Sequence, residues 1–377
     1  MTGSEILMLD HWLADRTKRI ELSGIRKIFE LGKGLKDPVN LSIGQPHFDV
    51  PEPIKVAAKS AIDRGDNGYT VTQGIPELRT KLAAEVNGRL PGQNREVLVT
   101  AGTSGALMLA LCATVNPGDE VILFDPYFVA YPNLVLLAGG TSVVIDTYPE
   151  FRIDVARVRA AITPRTKAIL FSSPSNPTGT ITDAETLRDL AALAREKGVL
   201  LIADEIYRSF WYDGTFRSAA EFDANVLVVD GFGKSYGITG WRLGYAHGPK
   251  RLIEEMAKLQ QFTFVCAPAP AQHAGVAALD YDVSEIVSDY RRKRDYLLGA
   301  LGRDYEISRP GGAFYIYPRA PWGTGTEFAQ EAIRHNLLLI PGIVFSRRDS
   351  HFRVSYAATD EKLERGVEIL KRMAHGS

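Results

Sequence analysis

Lys234 sits in Gly231-Phe232-Gly233-Lys234-Ser235-Tyr236-Gly237, directly after the apolar run Val226-Leu227-Val228-Val229-Asp230. A buried strand is expected to run there into a glycine-rich turn. The turn presents one amine and, eight residues on, one guanidinium, Arg242. A lysine whose ammonium is desolvated or crowded by another cation is an amine nucleophile and forms Schiff bases with carbonyl compounds. The same segment also reads as a surface loop with a solvated lysine, so the rest of the chain has to decide.

Four other segments carry polar groups where an open α/β sheet binds ligands, at the carboxyl ends of its strands. Gly102-Thr103-Ser104-Gly105 opens a helix after the strand-like Glu96-Val97-Leu98-Val99. Its N–H groups and two hydroxyls suit a phosphate, although a plain helix cap reads the same way. Asn176 stands between Pro174 and Pro177 after another apolar run, which a rigid turn would also explain. Asp204 and Tyr207 follow Val199-Leu200-Leu201-Ile202-Ala203. An acid at such an edge needs a partner, either a ligand cation or a structural cap or ion pair. Arg353, inside Phe352-Arg353-Val354, needs an anion, either a ligand or a structural salt bridge. Together the residues specify one cofactor. Lys234 suits an aldehyde, Asp204 a cationic ring nitrogen, Tyr207 and Asn176 a phenolate-type oxygen, and the 102–104 turn a phosphate. That set describes pyridoxal phosphate. Arg353 remains for a substrate carboxylate, and both arginines are expected to be buried cations.

The elements that must position these groups are strands and helices in alternation. Val121-Ile122-Leu123-Phe124 and Ala168-Ile169-Leu170-Phe171 are further continuous apolar runs, and Asp183 to Lys197 reads as a helix stopped by Gly198. Continuous apolar strands between helices indicate an α/β fold whose mostly parallel sheet is covered on both faces. After about residue 282 the texture becomes α+β. A charged helix over 283–301 leads to strands at Ala313–Tyr317, Leu337–Ile340 and Phe352–Tyr356, with a helix near Glu327 to His335. A short helix is also expected over Ile25 to Leu31. The expected division is an arm over 1–44 that joins the small domain, a large domain over 45–282 and a small domain over 283–377.

The chain has 377 residues, 45% of them hydrophobic, and a formal net charge of −1. That balance gives no electrostatic reason to expect nucleic acid or a membrane surface as partner. The first residues do not form the basic and then apolar pattern of a signal peptide. Cys112, in an Ala/Leu-rich helical pattern, is expected in the core, and Cys266 precedes a Pro/Ala loop. Neither suggests a disulfide framework or a metal site, so the expectation is a cytoplasmic protein without a metal.

In order and spacing these motifs resemble the class I/II aminotransferases of fold type I, the aspartate, aromatic and alanine aminotransferase group. The resemblance runs from about Leu41 to Ala357 and implies a large domain with a seven-stranded sheet. It further implies a homodimer with shared sites that moves an amino group between an α-amino acid and a 2-oxo acid in ping-pong fashion. By resemblance Gly44 contacts substrate, Tyr69 reaches the partner's cofactor phosphate, and Gly102, Thr103 and Ser104 form the phosphate turn. Phe128 stacks on the ring, Asn176 and Tyr207 meet the ring oxygen, and Asp204 meets the ring nitrogen. Lys234 carries the cofactor, Arg242 binds its phosphate and Arg353 binds the substrate α-carboxylate, with Asn176 close to that substrate as well.

Two departures stand out. The family usually has a phosphate-binding hydroxyl three residues before the lysine, and here that position is Gly231. In the arm, Ile25 favours a substrate with a neutral side chain, whereas Arg26 favours an acidic one. The same residues would also serve an elimination enzyme such as a carbon–sulfur β-lyase. A non-catalytic module on the same fold could dispense with Lys234 or Asp204. A nicotinamide dehydrogenase would need a Gly-x-Gly-x-x-Gly turn after an early strand, which this context does not supply.

Overall fold

The computed structural model describes residues 11–20, 22, 24, 30 and 34–375. Ile25 and Arg26, and with them the helix expected from residue 25, lie outside the described residues.

The arm contributes β1 (Val39–Asn40). The central sheet consists of β2 (Glu96–Ala101), β3 (Glu120–Asp125), β4 (Thr141–Asp146), β5 (Thr166–Ser172), β6 (Leu200–Asp204), β7 (Leu227–Gly231) and β8 (Leu243–Gly248). Its order is β2-β8-β7-β6-β5-β3-β4. All neighbours are parallel except β8, which runs antiparallel to both β2 and β7. The unbroken apolar runs follow from burial on both faces. Ile122, Ile169, Leu201 and Val228 point into one apolar layer, while Val121, Leu170, Ile202 and Val229 point into the other. Each such side chain removed from water contributes about 1.5–3 kcal/mol.

The remaining strands are β9 (Tyr315–Ile316), β10 (Leu337–Leu338), β11 (Ile340–Pro341) and β12 (Phe352–Ser355). β11, β12 and β9 make a three-stranded antiparallel sheet, and β1 pairs in parallel with β10. The run Leu337–Ile340, expected as one strand, is therefore divided. Its first half pairs with the arm and its second half with β12. A third apolar cluster surrounds these strands and takes in Tyr207 and Phe210, just beyond β6. The helix Ser284–Leu301 presses Arg294 into it, 1% exposed and 2.7 Å from Asp213 Oδ2.

Cys112 is a correction. It lies on the exposed side of the helix Gly102–Thr114. That helix is apolar on nearly every side, so its sequence gives no phase for deciding which residues face inward.

The parallel strands gather the chemistry-bearing segments at one edge of the sheet. β2 leads to Gly102, β3 to Phe128 and β5 to Asn176, β6 ends at Asp204, and β7 leads to Lys234. At this edge β8 crosses the start of the helix Gly102–Thr114 backbone to backbone. A β-carbon on Gly244 would stand 2.6 Å from the Gly102 carbonyl carbon and 2.7 Å from the Thr103 nitrogen. Neither atom is the end of a flexible side chain, so Gly244→Ala must move the helix start. We expect Gly244→Ala to lower Tm by several degrees, the cost of overpacking being about 1–3 kcal/mol. Gly299→Ala, which meets open space, should leave Tm unchanged or slightly raised. Thermal melts of both variants check this.

Candidate active site

Asp204 ends β6 and is 4% exposed. Its Oδ2 accepts the Tyr131 hydroxyl at 2.8 Å and its Oδ1 accepts the Ile206 N–H at 3.2 Å. Burial pushes its carboxyl up to about 6, opposed by these two hydrogen bonds. It therefore remains mostly ionised at neutral pH. Among the described residues it makes no ion pair, so the structural-salt-bridge alternative fails for this acid.

Lys234 is half-buried, and its Nζ donates to the Gly44 carbonyl at 2.5 Å. Burial, then the nearby Arg353 and Arg242 cations, lower its pKa to about 8, against an opposing pull from Asp204. An amine in that range is substantially neutral in mildly alkaline solution, as a nucleophile or base must be.

Arg353 lies on β12 and is 1% exposed. Its Nη1 donates to Asn176 Oδ1 at 2.9 Å and its Nη2 to the Ser42 carbonyl at 2.7 Å. The rings of Tyr315 and Phe345 each lie 4.6 Å from the guanidinium carbon. Its Nε is buried with no hydrogen-bond partner, and no carboxylate pairs with it among the described residues. The structural salt bridge considered from sequence is therefore absent.

Asn176 spends its oxygen on Arg353, which leaves its NH₂ to face elsewhere. The Tyr207 and Tyr315 hydroxyls lie 2.7 Å apart.

At the other end, the helix Gly102–Thr114 starts without a side-chain cap, so its first N–H groups are open to an anion. Thr103 and Ser104 do not serve as its cap. Arg242 follows a short 3₁₀ turn, has φ +54°, and donates to the Thr239 carbonyl at 2.9 Å. Gly102 lies under this guanidinium, since a β-carbon there would stand 2.5 Å from Arg242 Nη2. Arg242 is exposed rather than a buried cation. Gly231 is packed tightly, and a β-carbon there would meet Thr103 Cγ2 at 3.2 Å and Gly244 Cα at 3.1 Å. Thr103 and the β8 backbone together leave little room for a side chain at 231.

Phe128 is half-buried and makes an edge contact with Tyr131 at 5.5 Å. Tyr69 is 87% exposed and stands apart from the other groups within one chain. Sequence reasoning missed Tyr131 and Tyr315. The signal for Tyr131 was its spacing of three from Phe128 at the start of a helix. Tyr315 offered only its place in a strand.

The sequence matches the family described as aminotransferase class I and II over residues 36–370. It is 36% identical over 374 residues to a probable aspartate aminotransferase of Methanocaldococcus jannaschii, covering 96% of this chain and 99% of that one. It is 39% identical over 364 residues to an aspartate/prephenate aminotransferase of Thermus thermophilus, covering 92% and 94%. The structure of Thermus thermophilus aspartate aminotransferase with maleate superposes with a TM-score of 0.90 at 37% identity, covering 96% of this chain and 99% of that one. The chain belongs to the class I and II aminotransferases. It is an enzyme that moves an amino group between an α-amino acid and a 2-oxo acid, on the α/β architecture of fold type I. Enzymes of this family depend on pyridoxal phosphate.

The lowered pKa of Lys234 has a direct test on protein stripped of bound small molecules. Reductive trapping with a simple aldehyde should label Lys234 with a midpoint near pH 8. Arg353→Met removes a neighbouring cation and should raise that midpoint by about half a unit to one unit. A midpoint in the ordinary lysine range would show that the amine is not desolvated.

Proposed function

We propose that the chain holds pyridoxal phosphate on Lys234 and docks the α-carboxylate of its amino-acid substrate on Arg353. One observation carries this reading. Arg353 is a fully buried guanidinium with neutral partners and a free Nε. A buried cation without an anion costs several kcal/mol, and a substrate carboxylate would meet its fork in bidentate fashion.

The residues also fit the cofactor. The uncapped helix start at Gly102–Ser104 and Arg242 suit a phosphate. Asp204, mostly ionised, suits a protonated ring nitrogen, and Tyr207 with the free NH₂ of Asn176 suits the ring oxygen. Phe128 would lie against the ring, and Gly44 would contact substrate once Lys234 releases its carbonyl. When bound, pyridoxal phosphate supplies an aldehyde for amines and a cationic ring that accepts the electron pair left at the substrate Cα. Lys234 Nζ, neutral when needed, takes the Cα proton and returns it as a general base and acid. Asp204 holds the proton on the ring nitrogen, and its charge matters most when the ring accepts electrons. Release of the oxo acid and entry of a second one complete a ping-pong cycle.

We further read the working unit as a homodimer. Tyr69, Val71 and Phe262 are 87%, 54% and 85% exposed, and Phe264 and Val265 are exposed beside them. Gln260 ties the two segments by donating to the Thr72 carbonyl at 2.6 Å. Phe264 lies 3.8 Å from where a β-carbon on Gly105 would be, close to the phosphate turn. An apolar patch at the mouth of the site suits a second copy, which would bring Tyr69 to its partner's phosphate. Residues 45–282 are taken as the cofactor lobe, and 283–377 with the arm over 1–44 as the second lobe. Among the described residues no helix is long and apolar enough to cross a membrane, and the cytoplasm is kept as the proposed location. The relatives described above are aminotransferases, which leaves the elimination reading without support.

Two arginine variants test the assignment. Arg353→Ala should weaken transition-state binding by roughly 2–5 kcal/mol for every amino acid, read as kcat/KM, and retain cofactor through dialysis. Arg242→Ala should instead shed cofactor, because Gly231 offers the same phosphate no hydroxyl. The reverse pattern would mean that the two anion sites have been exchanged.

A further inference from the structure

Tyr315 lies on β9 and is fully buried. The pairing of Tyr315 with Ser355 and of Ile316 with Val354 fixes it beside Arg353. Three contacts meet on this one side chain. Its hydroxyl is 2.7 Å from the Tyr207 hydroxyl. Its ring lies 4.6 Å from the Arg353 guanidinium carbon. Its oxygen stands 2.5 Å from where a β-carbon on Gly44 would be, against the loop whose carbonyl holds Lys234.

We propose that Tyr315 is a positioning residue for the transamination. Its hydroxyl strengthens the bond from Tyr207 to the cofactor's ring oxygen, and its ring face holds the arginine that takes the substrate carboxylate. The inference rests on the roles given above to Tyr207 and Arg353 and adds a residue that links them. Two phenols 2.7 Å apart share one hydrogen bond, and either can be the donor. An anionic oxygen in front of Tyr207 removes that ambiguity. Tyr207 then gives its hydrogen to the anion, so Tyr315 must donate to Tyr207. A hydroxyl that accepts a hydrogen bond is a stronger donor in turn, so the ring oxygen feels Tyr315 through Tyr207. The aromatic face meanwhile attracts the Arg353 cation without consuming any N–H group beyond the two that bond Asn176 and Ser42, and the others remain for a carboxylate.

The test uses the holoenzyme and its absorbance rather than its turnover. Deprotonation of the lysine–cofactor link leaves the ring oxygen's negative charge to its hydrogen-bond donors. A weaker donor makes that form less stable, so the pH midpoint of the absorbance change must rise. Tyr315→Phe keeps the ring and the packing and loses only the hydroxyl. It should raise the midpoint by about half a unit and leave KM for the amino donor within about twofold. Tyr207→Phe should raise the midpoint further. The double variant should match Tyr207→Phe within about 0.2 unit, because Tyr315 acts through Tyr207. Tyr315→Leu, which also loses the ring, should additionally raise KM and weaken binding of an unreactive carboxylate analogue. If Tyr207→Phe moves the midpoint and Tyr315→Phe does not, or if the two shifts add, the inference is overturned. If Tyr207→Phe itself leaves the midpoint in place, the role given to Tyr207 falls, and the inference falls with it.

Discussion

The site is organised around a guanidinium that the fold buries without giving it a carboxylate. Arg353 is held by the oxygen of Asn176, the carbonyl of Ser42 and two aromatic faces. Those partners come from the exit of β5, the arm, β9 and the loop before β12. Segments more than three hundred residues apart in sequence are thus fixed to one cation. Neutral oxygens and π faces lower the cost of burial without cancelling the charge. The large apolar layers on both sides of the central sheet make such a local expense tolerable. What results is a buried cation whose unmet need is a carboxylate.

The opposite end of the site uses backbone rather than side chains. The start of the helix Gly102–Thr114, its glycine under Arg242 and the crossing of β8 at Gly244 bring N–H groups and a guanidinium to one place. Lys234 stands between the two cationic ends, with Asp204 behind it. This arrangement sets the chemistry of the amine. Burial and then the Arg353 and Arg242 cations lower its pKa to about 8, while burial raises Asp204 only to about 6. Burial favours the neutral form of both groups, but Asp204 rises only far enough to stay mostly charged at neutral pH, while Lys234 falls far enough to become neutral in mildly alkaline solution.

Much of this was legible in the sequence, for identifiable reasons. Strands buried on both faces leave unbroken apolar runs, so a polar residue at their carboxyl ends stands out, as Asp204 and Lys234 do. Arg353 was conspicuous for the same reason, and Asn176 was marked by its prolines. What the sequence hid depends on contacts between distant strands. Tyr315 looks like any aromatic core residue until the β9–β12 register puts it beside Arg353. Tyr131 becomes informative only when its helix, Ala130–Leu137, packs on β3 and β4 and brings the hydroxyl to Asp204. The antiparallel course of β8 left no pattern, because a strand covered on both faces reads alike in either direction. Arg242 and Cys112 were placed inside by local composition, and the structure puts both on exposed faces.

The contact between Gly231 and Thr103 constrains how this site can change over evolutionary time. The methyl of Thr103 fills the space beside the Gly231 backbone, and Gly244 closes the other side. A serine arriving at 231 on its own would meet that methyl before it could offer a hydroxyl to any ligand. Serine at 103 would remove that methyl and keep a hydroxyl, but the Gly244 Cα at 3.1 Å and the Leu243 carbonyl at 3.2 Å, both backbone, would still press on a β-carbon at 231. The tightness at 231 is therefore set by the backbone of β8 as much as by Thr103. A hydroxyl at 231 thus calls for a shift of β8 as well as room at 103, so this anion cradle cannot be rebuilt by exchanging one side chain.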